Sequence, residues 1–310
     1  MSTMEADVQA RAARIAAEPL VPIGQSTGFF SGTLKSLSEI WAHRELLGLL
    51  VRREVKARYK GSSLGIVWSL GRPILQLLIY YFAIGQILGA ARATPDFAVF
   101  VFIGLTMWGL ITEILSGSTT SLLANSGLVK KVYLPREIFP LSAVGGALFN
   151  FAVQFAVLLV AVAVISGFPA DARLLYVPVS ILTGILFSVA VGLILAAMNV
   201  YLRDTQHLVE IALILLFWAS PIVYSFTFVH DALQGNWLEQ LYLLNPITIV
   251  IMGMQKGLWE AGTTATGDLA QYWPPDLEIR LLITLVGSVV LLWLGQRIFS
   301  RLQGNFAQEL

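Results

Sequence analysis

Arg52-Arg53-Glu54-Val55-Lys56-Ala57-Arg58-Tyr59-Lys60-Gly61-Ser62-Ser63-Leu64-Gly65-Ile66-Val67-Trp68 passes from a basic helix to an apolar one within seventeen residues. Before the Gly61-Ser62-Ser63 turn, Leu37, Ile40, Trp41, Leu47, Val51, Val55 and Tyr59 recur at helical three-to-four spacing. Arg44, Arg52, Arg53, Lys56, Arg58 and Lys60 fall largely on the other side. That pattern is an amphipathic helix over 36–60. After the turn, Ile66 to Leu88 is long and apolar enough to cross a bilayer. A surface helix feeding straight into a spanning one fits this order, and the charged half stays on the cytoplasmic side.

Working outward, the whole chain has the same character. Of 310 residues, 56% are hydrophobic and 13% charged, with a mean hydropathy of +0.75. Soluble domains carry about 25% charged residues, so the chain is an integral membrane protein. The net charge of +1 gives no reason to expect nucleic acid as a partner. Cysteine is absent, which excludes disulfides, thiolate metal sites and thiol catalysis. Residues 1–35 read as a cytoplasmic N-terminal extension, with no apolar run long enough for a signal peptide.

Stretches free of Asp, Glu, Lys and Arg mark spans, because a charge at a helix centre costs about 2.5–3.5 kcal/mol on insertion scales. They predict six transmembrane helices at about 64–90, 97–124, 138–166, 174–202, 208–226 and 280–302, within one transmembrane domain, 36–310. With both termini inside, 16 of the 20 Lys and Arg residues lie on the cytoplasmic side, as the positive-inside rule requires. Arg92, Arg173, Lys256 and Arg280 stay outside among eight acids. The one long outer loop lies between helices five and six. In it Asn245-Pro246 is a helix start, Asn as cap and Pro at the first position. The apolar run to Met254 is too short to span, so short re-entrant or interfacial outer helices are expected. Pro221 should kink or end helix five.

Several groups stand out from this all-α background. The loop from Asn125 to Glu137 interleaves Lys130, Lys131 and Arg136 with Val129, Val132, Tyr133 and Leu134. Topology needs only the charges; the apolar residues fit a short helix presented to a partner protein. Arg203 and Asp204 in the next cytoplasmic turn are either a cap and a topology charge or a second contact to that partner. Inside the bilayer, Arg72, Glu113 and aromatic residues such as Tyr80, Trp108, Phe149, Phe155 and Trp218 are candidates to line a translocation path. The plain readings are a structural bond for Glu113, lipid contact for Arg72 and an interfacial belt for the aromatics. Ala143/Ala147 and Ser188/Gly192/Ala196 suit close helix packing. No Gly is followed by Lys-Ser or Lys-Thr, and His43, His207 and His230 are far apart, so neither a nucleotide loop nor a His metal site is present in the sequence. Work done by this protein draws on a partner or a gradient.

The stretch from Leu47 to Pro73 resembles the opening of ABC-2 type permeases that export polysaccharide or teichoic acid. The resemblance extends to Leu128–Pro140, Tyr201–Glu210, Asn245-Pro246 and the final Phe306-Ala307-Gln308-Glu309-Leu310. Where Arg72 stands, the family commonly has Asn or another polar residue. The resemblance implies a homodimer with two copies of a separate ABC ATPase subunit, and ATP and Mg bound there rather than on this chain. It implies that the basic helix (Arg52, Arg53, Lys56) and the loop residues Leu128, Lys130, Lys131, Tyr133, Pro135 and Arg136, with Arg203 and Asp204, contact that subunit. Outer helices within 231–260 would gate the external end. The cargo would be a polyprenyl-diphosphate-linked polysaccharide of O-antigen, teichoic acid or galactan type, moved across the bacterial plasma membrane by a non-enzymatic transport subunit. A small-lipid or drug permease is the alternative. A passive channel or ion-coupled transporter would need inverted repeats or paired mid-membrane charges, which the sequence does not display.

Overall fold

The computed structural model describes residues 31–59, 67–131, 134–169, 171–233 and 236–310. The chain divides into two units, Met1–Ser38 and Glu39–Leu310. In the first, the described residues 31–38 are helical; everything below concerns the second. Among the described residues every regular element is a helix.

Four helices are long and apolar enough to cross a membrane: α4 (Phe97–Ala124), α6 (Ile138–Ile165), α7 (Tyr176–Tyr201, preceded by a 3-10 turn from Ala172) and α12 (Leu277–Leu302). Helix α4 is the most enclosed, packing against α6 on one side and α7 on another, while α7 also carries α12. Small residues bring these helices close. Gly192 of α7 lies where a Cβ would stand 2.9 Å from Ser118 Cβ, and Ala143 of α6 meets Gly117. Both residue stripes singled out in the sequence therefore lie on helix contacts, as small-residue packing in an apolar solvent requires.

Two further apolar helices are shorter. Helix α3 (Val67–Tyr80) runs on as a π-helical turn, Tyr81–Ile87. Helix α8 (Thr205–Trp218) has 14 residues, about 21 Å against a hydrocarbon core of about 30 Å. The sequence predicts helix to 226, but the backbone leaves the helix at Ala219. Pro221 has no N–H for a helical bond, and its ring clashes with the preceding turn, so its arrival two residues later ends the helix.

The chain then forms α9 (Phe226–Leu233), α10 (Trp237–Leu243) and α11 (Pro246–Leu258). Asn245 caps α11, its Oδ1 accepting from Ile247 N at 3.0 Å, with Pro246 at the first turn. Helix α11 is buried nearly all round, against α4, α7 and α12. It also satisfies the backbone freed by Pro221. Gln255 Nε2 donates to Pro221 O at 2.8 Å, Thr248 Oγ1 to Ala219 O at 3.3 Å and Asn245 Nδ2 to Ala219 O at 3.2 Å. The carbonyl end of α8 thus faces the N–H end of α11, where the two helix dipoles attract. Non-helical backbone in an apolar surrounding needs such internal partners.

The basic segment is two helices rather than one, α1 (Ser31–Ala42) and α2 (Arg44–Tyr59). At the junction His43 Nδ1 lies 2.8 Å from Glu39 O, a carbonyl already bonded by His43 N, which loosens the ladder locally. Helix α2 lies against α6, with Leu50 buried and Val51 against Gly145. Periodicity alone favours Val51 as the core position; the residue beside it is the one most enclosed.

Candidate functional site

One face of α4 breaks the pattern of the core. Leu110, Ile111, Ile114, Leu115, Ser118, Thr119, Ser121 and Leu122 are buried. Gly109, Thr112, Glu113, Ser116 and Thr120, spaced at one helical face, are half-buried or exposed. Thr112 and Thr120 return their hydroxyls to the carbonyls of Trp108 and Ser116, which leaves oxygen lone pairs toward the open side. The neighbouring face of α6 adds Gln154, whose Oε1 stands 3.6 Å from the place of a Cβ on Gly109.

Glu113 lies about 17 Å along the helix from its Ala124 end, in the middle third of α4. Its carboxylate pairs with Arg58 of α2, and Asn150 Nδ2 of α6 donates to the same oxygen at 2.6 Å. The structural reading of Glu113 holds to this extent: it bonds two other helices. Its partners are Arg58 and Asn150. Arg58 is 47% exposed and Glu113 23% at the side chain, so the pair borders open space. About 18 Å further along α4, Arg53 Nη2 donates to Asn125 Oδ1 at 2.5 Å. Asn150 was legible as one of two amides, with Gln154, in the charge-free run 138–170, and Arg58 as one more cation of the basic helix; their meeting was not.

One turn beyond this stripe the aromatics gather. Tyr80 of α3 stacks on Phe217 of α8 (centroids 5.9 Å apart), and Trp108 of α4 meets the same ring edge-on at 5.6 Å. Trp218 stands beside Phe217 at 5.5 Å and is exposed. Three predicted path residues are therefore joined through Phe217, which the sequence offered only as one aromatic among many. Phe149 and Phe155 lie on α6, Phe155 stacked on Phe151 at 5.3 Å. The side chain of Arg72 lies outside the described ones.

At the basic end, Lys130 and Lys131 close the short helix α5 (Ser126–Lys131) and are exposed with Leu128, while Val129 is buried. Arg52, Arg53, Lys56, Arg203 and Asp204 are exposed, and Pro135 is half-buried; Tyr133 lies outside the described residues. Arg136 sits over the ring of Phe306 at 5.7 Å. Phe306 opens the last helix, α13 (Phe306–Glu309), and is fully buried against Phe299 and Tyr201, whose hydroxyl donates to Leu302 O at 2.6 Å. The loop of Arg136 and the turn of Tyr201 are thus gripped by one ring.

The opposite, acidic end is tied by polar bonds. Trp259 Nε1 donates to Pro95 O and Gln271 Nε2 to Ala93 O, at 2.8 and 2.9 Å. Arg173 bridges Asp171 and Glu260. The Arg173 backbone N–H and guanidinium hold the Asp171 carboxyl below the usual carboxylate range, and the Arg280 guanidinium does the same for Asp276. Among the described residues no cluster of His, Asp and Glu suits a metal ion.

Residues 45–259 match the ABC-2 type transporter family. The chain is similar to the O-antigen export system permease protein RfbA of Myxococcus xanthus, at 31% identity over 89% of this chain and all of that one. Two O-antigen export system permease proteins RfbA of Klebsiella pneumoniae are 26% and 24% identical, each over 86% of this chain and 95% of their own length.

Proposed function

The chain belongs to the ABC-2 type transporter family, and from that premise we propose that it is the membrane permease subunit of a polysaccharide exporter. The observation that carries the reading is the open face of α4. Hydroxyls, a carboxylate and an amide there sit beside Tyr80, Trp108, Phe217 and Trp218. Sugars need both features, oxygens to exchange hydrogen bonds with hydroxyl groups and aromatic faces for the ring C–H surfaces. A path for a purely apolar lipid would have no use for the first.

The protein is a multi-pass membrane protein, and the finer topology follows from the same proposal. Helix α3 with its π-helical turn serves as the first span and α8 with the broken segment after it as the fifth, giving six. Helix α11 is re-entrant: Trp259 at one end bonds Pro95, and Asn245 at the other reaches the end of α8. The basic end is cytoplasmic and holds both termini, in the bacterial plasma membrane. A second copy of the chain covers the apolar surface of α3 and α8, where Leu75, Ile79, Phe82, Ile211, Leu215 and Trp218 are exposed. Two ABC ATPase subunits, carrying ATP and Mg, dock on Leu128, Lys130, Lys131 and on Arg52, Arg53 and Lys56 of α2, with Arg203 and Asp204 beside them. The cargo is a polyprenyl-diphosphate-linked glycan.

Reconstitution with the ATPase subunit in liposomes tests this directly. ATP should drive a lipid-linked glycan to the face where a glycan-specific lectin detects it. Movement of short lipids with no movement of glycan would refute the exporter and favour the small-lipid permease. The absence of native cysteine allows a second check. Cysteines placed at Ser116 and Thr120 should react with a charged thiol reagent, and one at the exposed apolar position Val160 should not.

A further inference from the structure

We infer that the contact of Arg58 with Glu113 and Asn150 is the joint that passes motion of the basic helix α2 to the helices lining the path, with Glu113 as its positioning residue. The inference deepens the exporter reading and rests on it for the meaning of that motion. Three observations carry it.

First, α2 is held to α4 by arginine side chains: Arg53 to Asn125 at the basic end and Arg58 to Glu113 in mid-helix. Its close helix-to-helix packing is on α6 instead, where Val51 meets Gly145. A long flexible side chain keeps its bond while helices shift by an ångström or two, or exchanges it for water, and a packed face does neither. Second, the joint borders open space, so water can take the place of Arg58 when the pair parts. Third, Asn150 Nδ2 holds the same carboxylate oxygen from a different helix. When Arg58 leaves, Glu113 keeps a donor, which makes the parting reversible within an apolar surrounding. The parted state also sets an unpaired negative charge on the stripe with Thr112 and Ser116. One small displacement of α2 thereby changes both the shape and the charge of that face. The groups facing Glu113 from the packed elements are Arg58, Asn150 and, one turn away, Gln154.

The test is a charge exchange in the intact exporter in cells, with surface glycan as readout and membrane levels and ATPase co-purification as controls. Arg58→Glu and Glu113→Arg should each lower export roughly tenfold without loss of assembly, and the double exchange should recover to within about threefold of wild type. Single variants exporting at the wild-type rate, or a double variant no better than the singles at normal assembly, would overturn the joint. A second arm reads conformation rather than transport. With Arg58→Cys and Glu113→Cys in the otherwise cysteine-free chain, a short thiol-to-thiol linker should join the pair in nucleotide-free membranes. Its yield should fall several-fold with a non-hydrolysable ATP analogue. An unchanged yield would overturn the joint. Unaltered surface glycan after deletion of the whole gene would instead sink the exporter reading, and the linker yield still decides the joint.

Discussion

Helices α11 and α2 are both held by polar side chains, and the way they are held separates a fixed part of the molecule from an adjustable one. Asn245, Thr248 and Gln255 bond backbone carbonyls at Ala219 and Pro221. The acceptors are main chain that cannot rotate away, and the donors Thr248 and Gln255 are buried, which keeps solvent from replacing them. Arg53 and Arg58 bond side chains, Asn125 and Glu113, from half-exposed positions. Hydrogen-bond number says little about rigidity here. What matters is whether water can substitute and how far the donor reaches. The hold on α11 is built to stay, and the hold of α2 on α4 can be exchanged.

Three substitutions would sharpen or break that contrast. The largest effect belongs to Gly257→Val. A Cβ there would stand 2.7 Å from Val177 Cγ2 and 3.2 Å from the carbonyl oxygen of Arg173, backbone with nowhere to go. Overpacking of this kind costs about 3 kcal/mol. A drop of several degrees in the melting temperature of the detergent-purified protein should show it. Gln255→Leu comes next, leaving Pro221 O buried without its donor, at about 2 kcal/mol; denaturation followed by intrinsic fluorescence reads it. Should both prove neutral, α11 is not the fixed element described. Arg53→Ala should cost no more than about 0.5 kcal/mol, since the Arg53 side chain is half exposed and water can enter the space it leaves beside Asn125. A loss there as large as that of Gln255→Leu would erase the distinction between the two holds.

Much of this was legible in the sequence because long apolar runs have one solution in a bilayer. The four long helices α4, α6, α7 and α12 follow from charge-free stretches, and the start of α11 from Asn245-Pro246 alone. The extent of α8 was less legible. Pro221 marked a break, but its position relative to the bilayer depends on the bonds that Asn245, Thr248 and Gln255 donate to the freed carbonyls, and those are tertiary. The joint lay furthest from view. Glu113 stood out as a mid-helix carboxylate, yet Arg58 is 55 residues before it and Asn150 is 37 after. Nothing local in a helix selects one cation among six on a basic segment. The aromatic cluster was hidden for a different reason. Tyr80, Trp108 and Trp218 sit on three helices whose rotation is set by packing, so membership was decided by Phe217, the ring they share. Phe155, of the same chemistry, stacks on Phe151 instead.

Phe306 carries a consequence for the order of events during synthesis. Its ring completes a site formed by Phe299, Tyr201 and Arg136, which leave the ribosome earlier, two of them far earlier. Until α12 has been inserted, the loop of Arg136 and the turn of Tyr201 are without the ring that grips them both. The packing that joins those two segments is therefore complete only after translation has passed α12, which makes the last few residues of the chain the closing step for a region written more than a hundred residues earlier.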